Sequence, residues 1–299
     1  MKAKYKCRKC EFTWEQNPEP TTCPDCGYHY VDWLNYDEWQ REHAEAEKRA
    51  FIPNKILVVL PTFNSMRFVR HAAESILAQD YPNMEVWACD NESTDGTYEY
   101  LTQLAEGDER MSVHSLPNLH KNGYPEAWHY CFRGTDAEYI TFIASDDYVA
   151  PDYISKCMAV FAKAPDKIKC LQSSMTAVNE DGQQTDRLTH FYKNLDEFKR
   201  MCMEKQPVNT PSVIYRVDLY PIMKREASDA YDLLDHGPLD FDTYCGLADE
   251  GVFIYPINSF FGYFYRWHKG QCTWKVHNDS ELNKYHNIIT EYWRKKWNV

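Results

Sequence analysis

Apolar runs separated by polar clusters organise the first half of the chain. Ile56-Leu-Val-Val-Leu60, Glu85-Val-Trp-Ala-Cys89 and Tyr139-Ile-Thr-Phe-Ile-Ala144 read as strands, each followed by a helical pattern. That βαβαβ order requires parallel strands joined by right-handed crossovers. Further along, Pro151-Asp152 opens a helix to about Ala164, proline sitting where its missing N–H does no harm. Residues 168–175 and 212–215 read as strands, and 241–249 as a helix closed by Gly251. Near the end, Leu282, Tyr285, Ile288, Ile289, Tyr292 and Trp293 recur at helical spacing before Arg294-Lys-Lys-Trp297.

The polar clusters supply candidate chemistry. In an open α/β sheet, ligands bind in the crevice beyond the carboxyl ends of the strands. The three strands run into Pro61-Thr-Phe-Asn64, Asp90-Asn-Glu-Ser-Thr-Asp-Gly96 and Ser145-Asp146-Asp147. These clusters are therefore expected to meet at one edge, where the paired aspartates suggest a divalent cation holding a phosphorylated donor.

Composition sets outer bounds. With 299 residues, 43% of them apolar, the chain can fill one large α/β core and still carry a small module. No apolar run approaches the roughly 20 residues that span a bilayer, and the lysine-rich start lacks the apolar stretch of a signal peptide, so a cytoplasmic chain is expected. A net charge of -12 argues against a surface built wholly to coat nucleic acid, although Lys2, Lys4, Lys6, Arg8 and Lys9 form a local basic cluster.

Four of the eleven cysteines fall as Cys7-x-x-Cys10 and Cys23-x-x-Cys26. Two such turns can supply the four thiolates of a closed structural zinc site. Rubredoxin-like iron is the alternative metal, because Cys23-Pro-Asp-Cys-Gly27 also fits that kind of turn. A segment of about 30 residues buries too little to fold alone, so the metal would stabilise it directly. Residues 32–50, with Trp33, Leu34 and Trp39 among many charges, look like a helical connector ahead of Pro53.

Taken together, the strand-end Pro61-Thr-Phe-Asn64, the Asp90-to-Thr97 segment, Gly123 with Ala127, Ser145-Asp-Asp147 followed by Pro151-Asp152, and Tyr265-Arg-Trp-His-Lys-Gly-Gln271 resemble the family 2 glycosyltransferases. The resemblance runs from Ile56 to about Gly270. It implies a GT-A fold, a Rossmann-like, mostly parallel sheet flanked by helices, here preceded by the four-cysteine zinc ribbon. The expected boundaries are 1–31 for the ribbon, 32–52 for the connector, 53–275 for the glycosyltransferase domain and 276–299 for a terminal amphipathic helix.

The resemblance also implies roles. Pro61, Thr62, Phe63, Asn64, Asp90 and Asn91 would bind the donor, with Phe63 able to stack on a base and Asp90 or Asn91 able to meet its edge. Asn91 stands where the family usually has a second acid. Asp146 would touch the donor sugar, while Asp147 and Asp146, joined by His268, would hold Mn²⁺ or Mg²⁺. Lys121 and Arg266 are further donor contacts. Asp240 takes the place of the catalytic base, with Asp242 as its rival. The implied reaction is metal-dependent inverting transfer from a nucleotide-sugar, a UDP-sugar being favoured, to an acceptor hydroxyl.

A glycan is the expected acceptor. A modified base in nucleic acid, guided by the ribbon, is one alternative, and a non-catalytic binding protein is another. A nucleotidyltransferase would show a glycine-rich phosphate loop after the first strand, and residues 61–67 contain no glycine. The terminal helix, aromatic and basic, could touch a membrane surface, although docking onto the catalytic domain uses its apolar stripe better.

Overall fold

Strand β4 (Ile52–Thr62) shows why the sheet is central: Ile56, Val58 and Leu60 enter one buried cluster, and Leu57 and Val59 enter another. Successive side chains of a strand point to opposite faces, so an unbroken apolar run needs cover on both sides. The computed structural model describes residues 3–7, 10–16, 24–25, 31–34, 50–116, 124–223, 239–271 and 280–298.

Within those residues, β1 (Ala3–Cys7), β2 (Thr13–Gln16) and β3 (Val31–Trp33) form an antiparallel sheet in the order β2-β1-β3. Strand β3 continues to Trp33, two residues past the expected end of the ribbon, because residues 31–33 pair with β1. Residues 35–49 of the expected connector lie outside the described residues.

After β4 come α1 (Val69–Leu77), β5 (Met84–Asp90), α2 (Thr97–Ala105), β6 (Met111–Ser115), α3 (Tyr124–Gly134) and β7 (Ala137–Phe142). Helix α1 packs through Val69, Ala72, Ala73 and Ile76, the i, i+3, i+4, i+7 stripe of an amphipathic helix. β7, β4, β5 and β6 are mutually parallel neighbours. Their carboxyl ends face one way, as the sequence pattern requires.

The chain then makes β8 (Tyr148–Val149), α4 (Tyr153–Lys163), β9 (Cys170–Ser173), β10 (Met175–Val178), β11 (Gln184–Leu188), α5 (Leu195–Glu204), β12 (Val213–Arg216) and the short α6 (Tyr220–Met223). It closes with α7 (Leu239–Asp249), β13 (Tyr255–Ile257), β14 (Tyr263–Arg266) and α8 (Ser280–Trp297). The main sheet has the order β13-β9-β12-β7-β4-β5-β6, parallel except where β12 runs antiparallel to both neighbours.

The segment expected to be one strand over 168–175 divides at Ser174 between two sheets. β9 joins the main sheet, and β10 joins a smaller one ordered β11-β10-β14-β8. β8 follows the paired aspartates directly, and its pairing with β14 (Tyr263 opposite Val149, Phe264 opposite Tyr148) carries residues 263–268 to that turn. Helix α8 docks by its apolar side, with Ile289 and Trp293 buried. Among the described residues, no helix is long and apolar enough to cross a membrane.

Candidate active site

The first two strand ends are locked to each other. Asp90 is buried, and its Oδ1 accepts from the Thr62 hydroxyl (2.8 Å) and the Ser93 hydroxyl (2.6 Å), while Oδ2 accepts the Ser93 N–H (2.9 Å). Asn64, at φ 48°, donates its N–H to Ser93 Oγ (2.8 Å) and accepts the Thr94 N–H at Oδ1 (2.8 Å). Left-handed backbone is one that asparagine tolerates better than most residues, which suits this tight crossing. Pro61 carries the β4 register opposite Cys89, and Phe63, 43% exposed, leaves the strand end as an open aromatic face.

Asn91 is the exception in this saturated network. Its side chain is 2% exposed and its Nδ2 donates to the Thr62 carbonyl (3.2 Å), yet Oδ1 is buried with no hydrogen-bond partner. A buried carbonyl oxygen left unpaired costs about 1–3 kcal/mol. It is an unsatisfied acceptor at the carboxyl end of a parallel strand, the edge at which open α/β sheets bind ligands.

The two adjacent aspartates have different surroundings. Asp147 is 1% exposed; Oδ1 accepts the Arg266 N–H (2.7 Å) and Oδ2 accepts the Tyr263 hydroxyl (2.9 Å). Burial, with the neighbouring Asp146 charge, pushes its carboxyl well above the usual range against those two donors. Asp146 keeps 26% of its side chain exposed and meets His268 Nε2 with Oδ2 at 2.9 Å. The Gly270 N–H donates to His268 Nδ1 (3.2 Å), which leaves the ring proton on Nε2, facing the carboxylate.

Arg266 is 4% exposed, and each of its guanidinium nitrogens meets a protein acceptor. Nε donates to the Asp146 carbonyl (2.7 Å), Nη1 to the Glu180 carbonyl (2.7 Å) and Nη2 to His71 Nδ1 (3.2 Å). Burial and this guanidinium hold His71 below its ordinary pKa, keeping Nδ1 an acceptor. The guanidinium also lies over Phe68 and Tyr148, 4.8 and 5.3 Å from the ring centroids. It therefore frames the aspartate turn from behind.

Asp240 reaches the same edge by another route. β12 is antiparallel to β7, with Ile214 opposite Thr141, so the residues entering β12 lie past the carboxyl end of β7. Thr210 is one of them, and its hydroxyl donates to Asp240 Oδ2 (2.7 Å) in the first turn of α7. Asp242 is buried and accepts the Trp293 indole N–H at Oδ1 (2.6 Å), anchoring α8. Lys121, Cys23 and Cys26 lie outside the described residues. Cys7 and Cys10 sit at the turn after β1, where the Cys10 N–H faces Cys7 Sγ at 3.5 Å.

Sequence reading overlooked the residues that aim these groups. Ser93 ties Asp90 to Asn64, Ser65 meets Ser145 hydroxyl to hydroxyl at 2.8 Å, and Tyr263 serves Asp147. Only Tyr263 carried a signal, standing three residues before Arg266 in an aromatic strand.

A mostly parallel sheet whose carboxyl edge gathers Asp90 and Asn91, an aspartate pair and a helix-borne carboxylate defines an α/β fold of the GT-A kind. The fold is similar to S. aureus TarS 1-349 in complex with UDP-GlcNAc (TM-score 0.55, 21% identity, 73% of this chain and 60% of that one). It is also similar to a mannosyltransferase from Pyrobaculum calidifontis in complex with GDP-Man and Mn²⁺ (TM-score 0.51, 16% identity, 84% and 69%). Residues 57–231 match the model of glycosyl transferase family 2, and the chain belongs to that family. A chondroitin synthase of Pasteurella multocida is 26% identical over 199 residues, covering 66% of this chain. This chain spans 19% of that relative's length.

Proposed function

We propose that the protein transfers a sugar, with inversion, from a nucleotide-sugar to a hydroxyl of a glycan acceptor. The observation that carries the donor half is the unpartnered Asn91 Oδ1 beside exposed Phe63. Phe63 stacks on the base, and rotation of the Asn91 side chain brings its Oδ1 out to accept an imino N–H from the base edge. Uracil, thymine and guanine carry that N–H and cytosine does not. A UDP-sugar is the favoured donor, in keeping with the UDP-GlcNAc complex of the TarS neighbour.

Asp146 and His268 are the residues here that suit Mn²⁺ or Mg²⁺. No group of three or more His, Cys, Asp or Glu side chains assembles among the described residues. Hard cations at nucleotide sites commonly take one or two carboxylates and fill the rest with phosphate oxygens and water, so the pair fits. When bound, the ion offsets charge on the departing diphosphate. For His268 to ligate through Nε2, its proton moves to Nδ1 and the Gly270 N–H gives up its acceptor. Asp147 and Arg266 hold the turn rather than the donor.

Asp240 takes the proton of the acceptor hydroxyl as that oxygen bonds to the anomeric carbon. The bond from that carbon to the diphosphate oxygen breaks, and the nucleoside diphosphate leaves with the electron pair. Asp242, committed to Trp293, is unsuited to this task. A glycan acceptor accords with the synthase relatives. The basic cluster offers less to nucleic acid than its composition implied, since Lys4 and Lys6 lie 3.7 and 3.6 Å from Glu15 and Glu11.

Calorimetric titration with UDP, dTDP, GDP and CDP in Mn²⁺ tests the donor site. We expect CDP to bind at least about tenfold more weakly than the best imino-bearing nucleotide, and Asn91→Leu to erase that difference, because one such hydrogen bond is worth about 1–3 kcal/mol. Equal binding of all four by the native protein would refute the base assignment.

For residues 1–31 we propose a structural zinc ribbon, with iron the lesser candidate. The short hairpin, buried Cys7 and the Cys10 N–H directed at Cys7 Sγ support the first knuckle. The glycosyltransferase unit is proposed over 53–275, with the helix that follows serving as its brace.

A further inference from the structure

Between α5 and β12 the chain runs without regular structure from Gln206 to Asn209, then makes one 3-10 turn, Thr210–Ser212. Such a segment would ordinarily be loose, yet buried polar groups fasten it to β9 and to the end of β11. Gln172 Oε1 accepts the Asn209 N–H (2.6 Å), and Gln172 Nε2 donates to the Pro207 carbonyl (2.9 Å). Asn209 Nδ2 donates to the Ser173 and Leu188 carbonyls (3.0 and 3.3 Å), and Ser212 Oγ donates to Ser173 O (3.0 Å). Gln172, Asn209 and Ser212 are all buried. Groups so buried are tolerable only when satisfied, and a satisfied network has few alternative arrangements.

The free end of this network is aimed at one carboxylate. Gln206 Nε2 donates both to Thr210 Oγ1 (3.0 Å) and to Asp240 Oδ2 (3.1 Å), and Thr210 Oγ1 donates its own hydrogen bond to the same Oδ2 (2.7 Å). Asp240 Oδ1 accepts the Phe241 N–H (2.9 Å). An ionised carboxylate offers about four lone-pair directions. Oδ2 therefore has both of its own in use, and Oδ1 keeps one.

We propose that Thr210, fastened through Asn209 and Gln172 and backed by Gln206, is the positioning residue that presents Asp240 Oδ1 to the acceptor hydroxyl. The proposal rests on Asp240 being the base. It assigns the proton to one oxygen and gives the Gln172–Asn209 network its purpose: a rigid strut between the sheet edge and the base, built from the side of β12. On its other side, α7 is held by Trp293 through Asp242. The carboxylate is thus fixed from two directions before any acceptor arrives.

The test uses the full chain, Mn²⁺ and the nucleotide-sugar that it hydrolyses fastest from a panel of UDP-, GDP-, dTDP- and CMP-sugars. Thr210→Val keeps the shape and removes the hydroxyl; it should lower kcat on the order of 10²-fold, the cost of misplacing a catalytic group by about 1 Å, while donor KM stays within about twofold. Thr210→Ser should restore kcat to within about threefold of the native value, because it returns the donor. Gln206→Leu, which leaves the strut intact, should lower kcat by about tenfold and reports in place of Thr210→Val if that variant does not fold. If Asp240→Asn is inactive but both Thr210→Val and Gln206→Leu keep native kcat, the positioning role is overturned and the base survives. If Asp240→Asn is itself active, or the native protein hydrolyses nothing on the panel, the reading beneath the proposal falls with it.

Discussion

Asp146 and Asp147 are identical letters side by side, and only their surroundings separate them. Asp147 feeds two buried donors, Tyr263 Oη and the Arg266 N–H, whereas Asp146 turns toward His268 and solvent. Asp147→Ala should therefore cost about 2–6 kcal/mol of stability in urea unfolding, about 1–3 for each of the two donors that it strands. Asp146→Ala should change stability by no more than about 1.5 kcal/mol, the scale of one partly exposed hydrogen bond, yet abolish the Mn²⁺ dependence of nucleotide binding. The reverse pattern would exchange their roles. The sequence could not make this distinction, because it depends on β14 lying against β8, a contact between residues more than a hundred positions apart. The same reason hid the protein partners of Arg266, whose guanidinium donates to Glu180, His71 and Asp146. Asn91 was legible as a departure from the family, but its idle oxygen was not.

At the scale of elements, β4, β5 and β7 were readable because strands buried on both faces must be apolar throughout. The second sheet was not. β8, β10 and β14 are two to four residues long, too short for a period to emerge, and Ser174 between β9 and β10 looks in sequence like the interior of one strand. Helix α8 was visible in its stripe, but its partners were not. Its partners are α7, through Trp293 to Asp242, Trp297 Nε1 to Asp249 (3.1 Å) and Lys296 to Asp249 (2.8 Å), and α5, through Arg294 Nη2 to the Met203 carbonyl (3.2 Å). Trp293→Ala should cost about 3–5 kcal/mol by emptying a buried site, and it should also lower kcat through the base helix. Burial works to raise the Asp249 carboxyl, but the hydrogen bonds from Lys296 and Trp297 prevail and hold it below the usual range. A depressed carboxylate contributes stability that is full above its unfolded pKa, about 3.9, and is lost as pH falls through the lower folded value. Unfolding midpoints of the native protein and Asp249→Asn should therefore differ at pH 6 and converge as pH drops below about 3.9. A gap that widens on acidification would contradict this pairing.

Over the whole molecule, three strand ends and one helix start converge because parallel strands put their carboxyl ends together and β12, running the other way, brings its amino end to the same edge. The convergence of the strand ends was legible from the βαβαβ order. The contribution of β12 was not, since strand direction is set by sheet partners that the local pattern does not name. The ribbon makes a separate prediction: the purified chain should hold about one zinc ion by elemental analysis, and Cys7→Ser with Cys10→Ser should release it, as a four-thiolate site requires. Zinc content unchanged in that variant would remove Cys7 and Cys10 from the site. The central claim, a donor edge faced by a separate base, is met most directly by measuring nucleoside diphosphate release across UDP-, GDP-, dTDP- and CMP-sugars with Mn²⁺, alongside Asp146→Ala and Asp240→Asn. The native protein should turn over one imino-bearing donor and both variants should lose that turnover, with Asp240→Asn still binding the nucleotide normally. Undiminished turnover in either variant, or none by the native protein on any donor, would contradict that claim.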